Sequence, residues 1–184
     1  MSTASPWIER WSHLVAPGGA VLDVACGGGR HLRWFAEHGH PVTGVDIDTA
    51  AASAQYPGAR LVTADIENGP WPLTDASGKP VQFAAIVVTN YLWRPLLPTL
   101  LESLAGGGVL LYETFAQGNE TVGRPARPDF LLRPGELLQV CAGLRVVAFE
   151  DGYLDNPARF VQRIAAVRDP EAGQPGTLPA VYRL

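Results

Sequence analysis

Short runs of branched apolar residues alternate with helical patterns along most of this chain, and this alternation restricts the folds it can adopt. Five runs have the length and composition of buried strands, and the first begins a strand–turn–helix pattern. The runs span residues 20–26, 41–47, 60–66, 83–90 and 109–115. Helices are predicted at residues 30–38, 49–55, 95–104 and 134–141. Strands separated by helices form βαβ units with right-handed crossovers, so the pattern predicts a parallel sheet.

The end of the chain departs from this alternation. Residues 144–150 and 159–167 are two strand-like runs joined by a turn near residues 155–157, which predicts an antiparallel hairpin. We therefore expect an α/β fold with a mostly parallel seven-stranded sheet and an antiparallel last strand. A plain dinucleotide-binding domain would end instead with a sixth parallel strand. The length of 184 residues predicts a single domain over residues 1–184.

Bulk properties exclude several classes of protein. The net charge of −4 argues against a nucleic-acid partner, which usually requires a basic face. The two cysteines, Cys26 and Cys141, are far apart and are expected to be reduced thiols. No apolar run approaches the ~20 residues that span a bilayer, and residues 1–15 do not have the pattern of a signal peptide. We therefore expect a cytoplasmic protein with no membrane partner, and the histidine and cysteine spacings predict no metal site.

The most informative motif is the run VLDVACGGGR at residues 21–30. It places three glycines where a predicted strand gives way to a helix, so bare backbone can approach a ligand at the carboxyl end of that strand. The dinucleotide fingerprint G-x-G-x-x-G is not met, because Leu32 or Arg30 occupies the place of its third glycine. The spacing favours a D-x-x-x-G-x-G turn for a cofactor without a pyrophosphate. A tight turn with no ligand is the alternative.

Acidic residues follow the next two predicted strands. Asp46 can accept hydrogen bonds from both hydroxyls of a ribose, while Asp48 is better placed to cap the following helix. Asp65 can accept from an adenine amino group while Ile66 covers the ring, although an aspartate here also suits a turn. Together with Asp23, these residues are predicted to lie along one edge of a parallel sheet.

These motifs resemble the first motifs of class I S-adenosylmethionine-dependent methyltransferases. Within that class they are similar to the compact bacterial type that includes tellurite-resistance methyltransferases. The resemblance is carried by VLDVACGGGRHLRWFAEHGHPVTGVDID, by the ADI that follows, and by VTNYL at residues 88–92. It implies a Rossmann-like sandwich, S-adenosylmethionine as cofactor and S-adenosylhomocysteine as product. Ala25 stands where the family has its first loop glycine.

The resemblance also implies which residues contact the cofactor. In the family the glycine loop wraps the methionine part, the second acid holds the ribose and the third acid holds the adenine. The residues implied here are Asp23, Ala25, Gly27, Gly29, Asp46, Ile47, Asp65, Ile66, Asn90 and Tyr91.

Catalytic residues are less strongly indicated, because methyl transfer from a sulfonium is an in-line displacement that depends mainly on alignment. No dedicated base is required when the acceptor is already a soft anion. Tyr91 and Glu113 are the catalytic candidates, with aromatic packing and a structural carboxylate as their respective alternatives. His31 follows the glycine run, where a capping or surface role is the ordinary interpretation.

Two segments are candidate covers for the site. Residues 116–132 are long for a connection without secondary structure, which is typical of a lid over a substrate. Arg124 and Arg127 in this segment either face an anionic acceptor or lie in solvent. Residues 1–18 form either a second cover over the cofactor or a helix that packs Trp7 and Trp11 on the body.

The sequence therefore predicts an S-adenosylmethionine-dependent methyltransferase. A small-molecule acceptor is expected, because the chain has little spare length for a domain that would grip protein or RNA. The alternatives are a non-catalytic S-adenosylmethionine-binding protein, a methyltransferase of protein or RNA, and an NAD-dependent oxidoreductase. No residue is diagnostic of one acceptor or of an oligomeric state.

Overall fold

A computed structural model describes residues 3–169 and 181–184, and its centre is one seven-stranded sheet. The strands are β1 Val21–Val24, β2 Val42–Asp46, β3 Arg60–Thr63, β4 Phe83–Thr89, β5 Leu104–Phe115, β6 Arg145–Asp155 and β7 Ala158–Val167. Their order across the sheet is β3-β2-β1-β4-β5-β7-β6. Neighbouring strands from β3 to β5 are parallel, whereas β7 is antiparallel to both β5 and β6. The predicted mostly parallel sheet with an antiparallel last strand is confirmed.

Within the described residues, five α-helices cover this sheet. They are α1 Pro6–Trp11, α2 Arg30–Glu37, α3 Ala50–Gln55, α4 Leu97–Glu102 and α5 Glu136–Val140. The helix predicted at residues 95–104 is shorter, since a 3₁₀ turn at Arg94–Leu96 precedes α4. Further 3₁₀ turns lie at Ser12–Leu14, Asn119–Thr121 and Pro128–Phe130. Residues 64–82 connect β3 to β4 without a helix.

Three strands differ by three residues or more from the predicted bounds, and one of them is β6, which extends to Asp155 rather than to residue 150. β3 ends at Thr63, so Asp65 and Ile66 lie in the turn beyond the strand. β5 begins at Leu104 rather than at residue 109, because the glycine-containing residues 105–108 continue the strand through an irregular register opposite Phe83. Backbone pairing, rather than apolar side chains, extends this strand.

The sheet buries an apolar cluster on each of its faces. β4 supplies both clusters, because successive side chains of a strand point to opposite faces: Ile86 and Val88 lie in one, Ala85 and Val87 in the other. Residues of α4 and α5 belong to the first cluster, and residues of α1, α2 and α3 belong to the second. The result is a three-layer sandwich with the strand ends exposed at its edges.

Gly44 in β2 allows α2 to pack closely on the sheet. A Cβ atom at this position would lie 2.7 Å from Leu32 Cδ1 and 2.9 Å from Cys26 Sγ. These separations are too short for real contacts, so no larger residue fits without movement. The close packing fixes the helix that follows the glycine-rich turn.

The N-terminal segment packs against the body of the domain through α1. The side chains of Trp7 and Trp11 are buried, and Trp7 Nε1 donates a hydrogen bond to the carbonyl of Ile164 in β7 at 3.3 Å. The guanidinium of Arg163 lies 4.9 Å from the centre of the Trp7 ring, within the range of a cation–π contact. The aromatic face of α1 therefore forms part of the core.

Cys26 and Cys141 are both buried and free. Burial raises the pKa of each thiol to about 12, and for Cys26 the neighbouring carboxylates of Asp23 and Asp46 add to this effect. Such thiols are unreactive at neutral pH. None of the helices in the described part of the chain is long and apolar enough to cross a membrane.

Candidate functional site

The glycine-rich turn after β1 turns its backbone towards open space. Ala25, Gly27 and Gly29 all have positive φ angles, of 53°, 51° and 76°. A Cβ atom at Gly27 would meet no atom within 4 Å, which leaves room for a ligand against the bare backbone. Gly29 caps α2, and its N–H donates to the carbonyl of Cys26 at 2.9 Å.

Two residues other than glycine are held in the left-handed region at neighbouring strand ends. Ala25 follows β1 and has a φ of 53°, while Asn90 follows β4 and has a φ of 55°. The conformation costs about 1–2 kcal/mol for an alanine and less for an asparagine. Both residues line the same cavity, so this backbone strain lies at the candidate site.

A groove with two parts runs along the carboxyl ends of the parallel strands. The first part, here called the glycine-loop cavity, has a volume of about 340 Å³ and is lined by Ala25, Cys26, Gly27, Gly28, Arg30, His31, Gln55, Thr89, Asn90 and Tyr91. The second part, the acidic cavity, has a volume of about 370 Å³ and is lined by Ala25, Asp46, Ile47, Ala64, Asp65, Ile66, Glu67, Asn68 and Tyr91. The two parts share Ala25 and Tyr91, so one elongated ligand can occupy both.

Asp46 at the end of β2 lines the acidic cavity and is hydrogen-bonded to the glycine-rich turn. Its Oδ2 accepts a hydrogen bond from the backbone N–H of Gly27 at 2.9 Å, and its Oδ1 accepts from the N–H of Asp48 at 3.0 Å. The carboxylate is only partly buried and keeps lone pairs free for a ligand. Ile47 beside it is 69% exposed, although it lines the acidic cavity. Asp46 therefore positions the glycine turn and faces the groove.

Asp65 combines a turn role with a place in the acidic cavity. Its Oδ1 accepts from the N–H groups of Glu67 and Asn68, both at 3.0 Å, and its Oδ2 accepts from the Asn68 side chain at 3.0 Å. The hydrogen bond from the Asn68 side chain, followed by those from the backbone, lowers the pKa of Asp65. The residue is therefore an anion at neutral pH. The hydrogen bonds of Asp65 are those of a turn residue, and its position in the lining of the acidic cavity is that of a ligand-binding residue.

Two residues of the predicted cofactor set do not line either cavity. Asp23 is 1% exposed and lies beneath the glycine turn, where its Oδ2 has no hydrogen-bond partner in the described part of the chain. Gly29 faces α3, and a Cβ atom on it would lie 3.2 Å from the Cβ of Ala52. The cofactor roles of Asp23 and Gly29 stay predictions. In the structure, Asp23 is buried in β1 before the turn, and Gly29 packs against α3.

Tyr91 lies where the two cavities meet. Its hydroxyl is buried, and no hydrogen-bond partner for it lies among residues 3–169 or 181–184. Burial, followed by the negative charge of Glu67, raises the pKa of Tyr91 far above its ordinary value. The phenol is therefore protonated at neutral pH, where it can donate a hydrogen bond but cannot act as a base.

Glu113, the other predicted catalytic residue, lies outside the linings of the two cavities. Its side chain is buried, and it accepts a hydrogen bond from Ser5 Oγ at 3.0 Å. Arg163 Nη1 lies 3.2 Å from one carboxylate oxygen, and Arg159 Nη2 lies 3.6 Å from the other. Both oxygens are thus held by cations. Its role as a base stays a prediction, which these contacts disfavour.

Sequence analysis did not assign a binding role to six other residues of the glycine-loop cavity: Cys26, Gly28, Arg30, His31, Gln55 and Thr89. Arg30 and His31 begin the helix directly after the glycine run, and this position next to the motif could have indicated that they line the cavity. Thr89 immediately precedes Asn90 and holds the Arg30 guanidinium, with Nη2 and Oγ1 separated by 3.5 Å. Gln55 comes from the end of α3, and no motif marks it.

Residues 116–132 are anchored rather than free. Arg94 donates to the carbonyl of Asp129 at 2.8 Å and to that of Leu131 at 2.9 Å. The same guanidinium makes two hydrogen bonds to the Glu136 carboxylate, at 2.7 and 2.9 Å. Arg124 and Arg127 of this segment are exposed. The turn after β4 therefore holds the end of the segment predicted as a lid.

The Arg94–Glu136 pair is expected to make stability depend on pH. Burial pushes the pKa of Glu136 upwards, but hydrogen bonds from Arg94 and from the N–H of Arg133 outweigh it, so this pKa lies below its ordinary value of 4.5. The stabilisation is complete above that ordinary value and is lost as the pH falls through the lower folded-state pKa. Between about pH 6 and about pH 3.5, E136Q should therefore lose less unfolding free energy than the wild-type protein loses. Urea denaturation of both proteins at the two pH values measures this difference.

The exposed pair of Arg33 and Glu37 provides the control for this measurement. E37Q is expected to follow wild type at both pH values, because exposed pairs within one helix contribute little. An equal loss of stability in E136Q and wild type would show that the Arg94 pair does not carry the pH dependence.

The sheet and the groove together define a class of protein. A parallel sheet with the order 3-2-1-4-5 and an added antiparallel 7-6 pair, carrying a glycine bend and successive acids at one edge, is the class I methyltransferase fold predicted by the motifs. Residues 21–108 match the protein-family model described as "Methyltransferase domain". This match contains the whole groove.

Known proteins agree with this class. TehB from Haemophilus influenzae superposes with a TM-score of 0.74 at 18% identity, covering 92% of this chain and 64% of that one. A 1,6-didemethyltoxoflavin-N1-methyltransferase from Burkholderia thailandensis, solved with its substrate and S-adenosylhomocysteine, gives a TM-score of 0.64 at 17% identity, over 89% and 77% of the two chains. The chain therefore has the fold of the class I S-adenosylmethionine-dependent methyltransferases and is similar to TehB, which confirms the resemblance.

A curated relative is similar over a shorter region. The malonyl-[acyl-carrier protein] O-methyltransferase of Pectobacterium atrosepticum is 33% identical over 106 residues, which cover 54% of this chain. The chain spans only 40% of the length of that relative and 64% of the length of the TehB chain.

Proposed function

We propose that this protein binds S-adenosylmethionine in the groove and transfers its methyl group to a small-molecule acceptor. The observation that carries the proposal is the continuity of the groove through Ala25 and Tyr91, with carboxylates in one part and bare glycine backbone in the other. A nucleoside joined to an amino-acid chain has matching chemistry, with hydroxyl and amino donors at one end. Each cavity has a volume typical of a ligand pocket.

The acidic cavity fits the adenosine part of this cofactor. Both Asp46 and Asp65 line this cavity, and in this proposal Asp46 accepts hydrogen bonds from the ribose hydroxyls and Asp65 accepts from the adenine amino group. Ile47 and Ile66 line the same space and supply apolar contact for a purine ring. An isoleucine that is 69% exposed becomes covered when such a ring binds.

The glycine-loop cavity fits the methionine part. The open space beyond Gly27 accommodates a chain that lies against the backbone, and the Tyr91 hydroxyl, which makes no hydrogen bond of standard geometry, can donate to a ligand atom. When bound, S-adenosylmethionine supplies both the activated methyl group and the leaving group. The residues of the protein then have to orient the acceptor, and orientation alone supplies about 7–11 kcal/mol of a barrier of this kind.

The two predicted catalytic residues receive different roles in this proposal. Tyr91 acts as a neutral donor and as a wall where the cavities meet. Glu113 is tied to Ser5, Arg159 and Arg163, so we assign it to holding the N-terminal segment beside the groove. The proposal therefore requires an acceptor that is already nucleophilic, or one that loses its proton to solvent.

A small acceptor is supported by the Burkholderia enzyme, which was solved with bound 1,6-didemethyltoxoflavin. The segments at residues 3–18 and 116–132 are proposed to cover this acceptor. Release of S-adenosylhomocysteine in the presence of a panel of thiols, amines and metalloid oxyanions would identify it. Turnover with none of these, combined with tight cofactor binding, would favour the non-catalytic alternative.

Cofactor binding is expected to raise the thermal stability of the protein. A ligand at 100 times its dissociation constant adds about 2.7 kcal/mol, equivalent to about 5–10 °C in Tm for a domain of this size. Differential scanning fluorimetry should show such a rise with S-adenosylmethionine or S-adenosylhomocysteine and no rise with NAD or NADP. A rise with the nicotinamide cofactors alone would reverse the assignment in favour of an oxidoreductase.

A further inference from the structure

A turn in the lining of the acidic cavity contains an asparagine followed by a glycine. Among the asparagines of the chain, Asn68 alone has a glycine after it. Asn68 lines the acidic cavity, and both Asn68 and Gly69 are exposed. Asn119, by comparison, is 1% exposed and is followed by Glu120. Solvent therefore reaches the Asn68–Gly69 peptide at the edge of the groove.

An asparagine in this sequence context can lose its amide group without an enzyme. The backbone nitrogen of Gly69 gives its proton to hydroxide and attacks Cγ of Asn68. The bond between Cγ and Nδ2 then breaks, and the nitrogen leaves as ammonia after taking a proton from water. Water opens the resulting cyclic imide at either carbonyl, which leaves an aspartate or an isoaspartate at position 68 without any change in oxidation state. A glycine favours the ring because it has no Cβ atom to obstruct the attack.

Asp65 holds both nitrogens that take part in this reaction. The N–H of Gly69, which supplies the attacking nitrogen, donates to the carbonyl of Asp65 at 2.9 Å. The side-chain amide of Asn68, which supplies the leaving group, donates to Asp65 Oδ2 at 3.0 Å. These hydrogen bonds have to open before the ring can close. The negative charge of Asp65 also opposes the oxyanion that forms on the Asn68 side chain during the attack.

Loss of the amide changes the electrostatics of the acidic cavity. Asp46, Asp65 and Glu67 already line it, and no arginine or lysine does so within the described part of the chain. A carboxylate at position 68 lies beside Asp65 in place of the amide that now donates to it, so an attraction becomes a repulsion between like charges. The turn that orients Asp65 towards a ligand is thereby weakened.

We propose that Asn68–Gly69 is a site of spontaneous deamidation restrained by Asp65, and that its modification weakens ligand binding in the acidic cavity. The effect on binding rests on the proposed function, which assigns this cavity to the adenosine part of the cofactor. The modification itself does not depend on that assignment. Its rate rises with pH, because hydroxide removes the proton from the attacking nitrogen.

Mass spectrometry tests the modification. Wild-type protein and its variants are incubated at a mildly alkaline pH, and the peptide that contains residue 68 is followed for replacement of the amide by a carboxylate. D65A is expected to react about 10-fold faster than wild type, because it frees the Asn68 amide and removes the opposing charge. D65N, which keeps an acceptor without the charge, should be intermediate. N68Q should stay unmodified, since a glutamine has to close a larger ring.

D75A is the matched control. Asp75 forms a similar turn, in which its Oδ1 accepts from the N–H of Ser77 at 2.8 Å and from that of Lys79 at 3.1 Å. D75A should therefore leave the reaction at Asn68 unchanged. G69A is less suitable, because its Cβ atom would lie 2.7 Å from the carbonyl oxygen of Asp65 and disturb the turn.

Calorimetry with S-adenosylhomocysteine tests the effect on binding. N68D is expected to bind about 10-fold more weakly than fresh wild-type protein. Aged wild-type protein should lose affinity as the modification proceeds, whereas aged N68Q should keep the affinity it had when fresh.

The outcomes separate the parts of the proposal. An unmodified Asn68 in both wild type and D65A would overturn the site, and equal rates in D65A and D75A would overturn the role of Asp65. Wild-type affinity in N68D would overturn the effect on binding. Fresh wild-type protein that does not bind S-adenosylhomocysteine contradicts the proposed function instead, because the mass measurement does not require the cofactor.

Discussion

Replacing Asp46 with alanine is expected to weaken the binding of S-adenosylhomocysteine by about 10- to 100-fold. The carboxylate faces the acidic cavity and is proposed to accept hydrogen bonds from the ribose hydroxyls, and hydrogen bonds to a charged group contribute about 1.5–3 kcal/mol. It also holds the N–H of Gly27 at 2.9 Å, so its loss loosens the turn beside the ligand. Calorimetry with S-adenosylhomocysteine measures the change directly.

Two further variants separate ligand contact from support of the turn. D46N keeps one acceptor oxygen for Gly27 and loses the charge, so its affinity is expected to lie between those of wild type and D46A. D48A removes an acid two residues away whose Oδ1 accepts a hydrogen bond from the N–H of Ala50; the N-cap of α3 is Thr49, not Asp48 as predicted. D48A should cost about 0.5–1.5 kcal/mol of stability and leave affinity unchanged. Equal affinity of D46A and D48A would reject the ribose role of Asp46.

Replacing Glu113 with glutamine is expected to lower the free energy of unfolding by about 3–5 kcal/mol. The side chain is 1% exposed and lies between Arg159 and Arg163, so the change leaves two guanidinium groups without their shared counter-charge. Removing one partner of a buried ion pair costs about this amount. Urea denaturation at neutral pH measures the loss, which corresponds to about 6–20 °C in Tm.

The control for this prediction is Glu150, which also pairs with Arg163 but has a side chain that is 44% exposed. E150Q is expected to cost less than about 1 kcal/mol, because exposed pairs contribute little. If E113Q costs no more than E150Q, the structural assignment of Glu113 is wrong. A folded E113Q protein that binds the cofactor but has lost turnover would then restore Glu113 as a base.

The sheet could be predicted from the sequence because each strand is indicated by a pattern of a few neighbouring residues. The runs that became β1, β2 and β4 are mostly apolar, as buried parallel strands are, while Asp46 ends β2 and Asp65 lies two residues after β3. The sequence alone therefore predicts that Asp46 and Asp65 lie at the same edge of the sheet, where the parallel strands end. The hairpin of β6 and β7 was predictable for the same reason, since its turn residues lie between two strand-like runs.

Contacts between distant segments were not predictable in this way. Ser5 and Glu113 are separated by 108 positions, and no pattern in either neighbourhood indicates that they share a hydrogen bond. Gln55 reaches the glycine-loop cavity only because α3 ends beside Gly28. Asp23 has the expected spacing but lies under the turn, because the side chains of a buried strand point into the layers of the sandwich. The spacing of a motif predicts which strand or helix a residue belongs to, but it does not predict where the side chain points.

The left-handed backbone at Ala25 and Asn90 has a consequence for how a ligand is received. Holding an alanine in that conformation costs free energy in the unliganded protein, and the cost is met by the surrounding fold. The groove is thus preorganised: its shape is set before a ligand arrives, and little binding energy is spent on reshaping it. The binding surface therefore has its final shape in the unliganded protein, and the folded state is less stable than it would be without this strain.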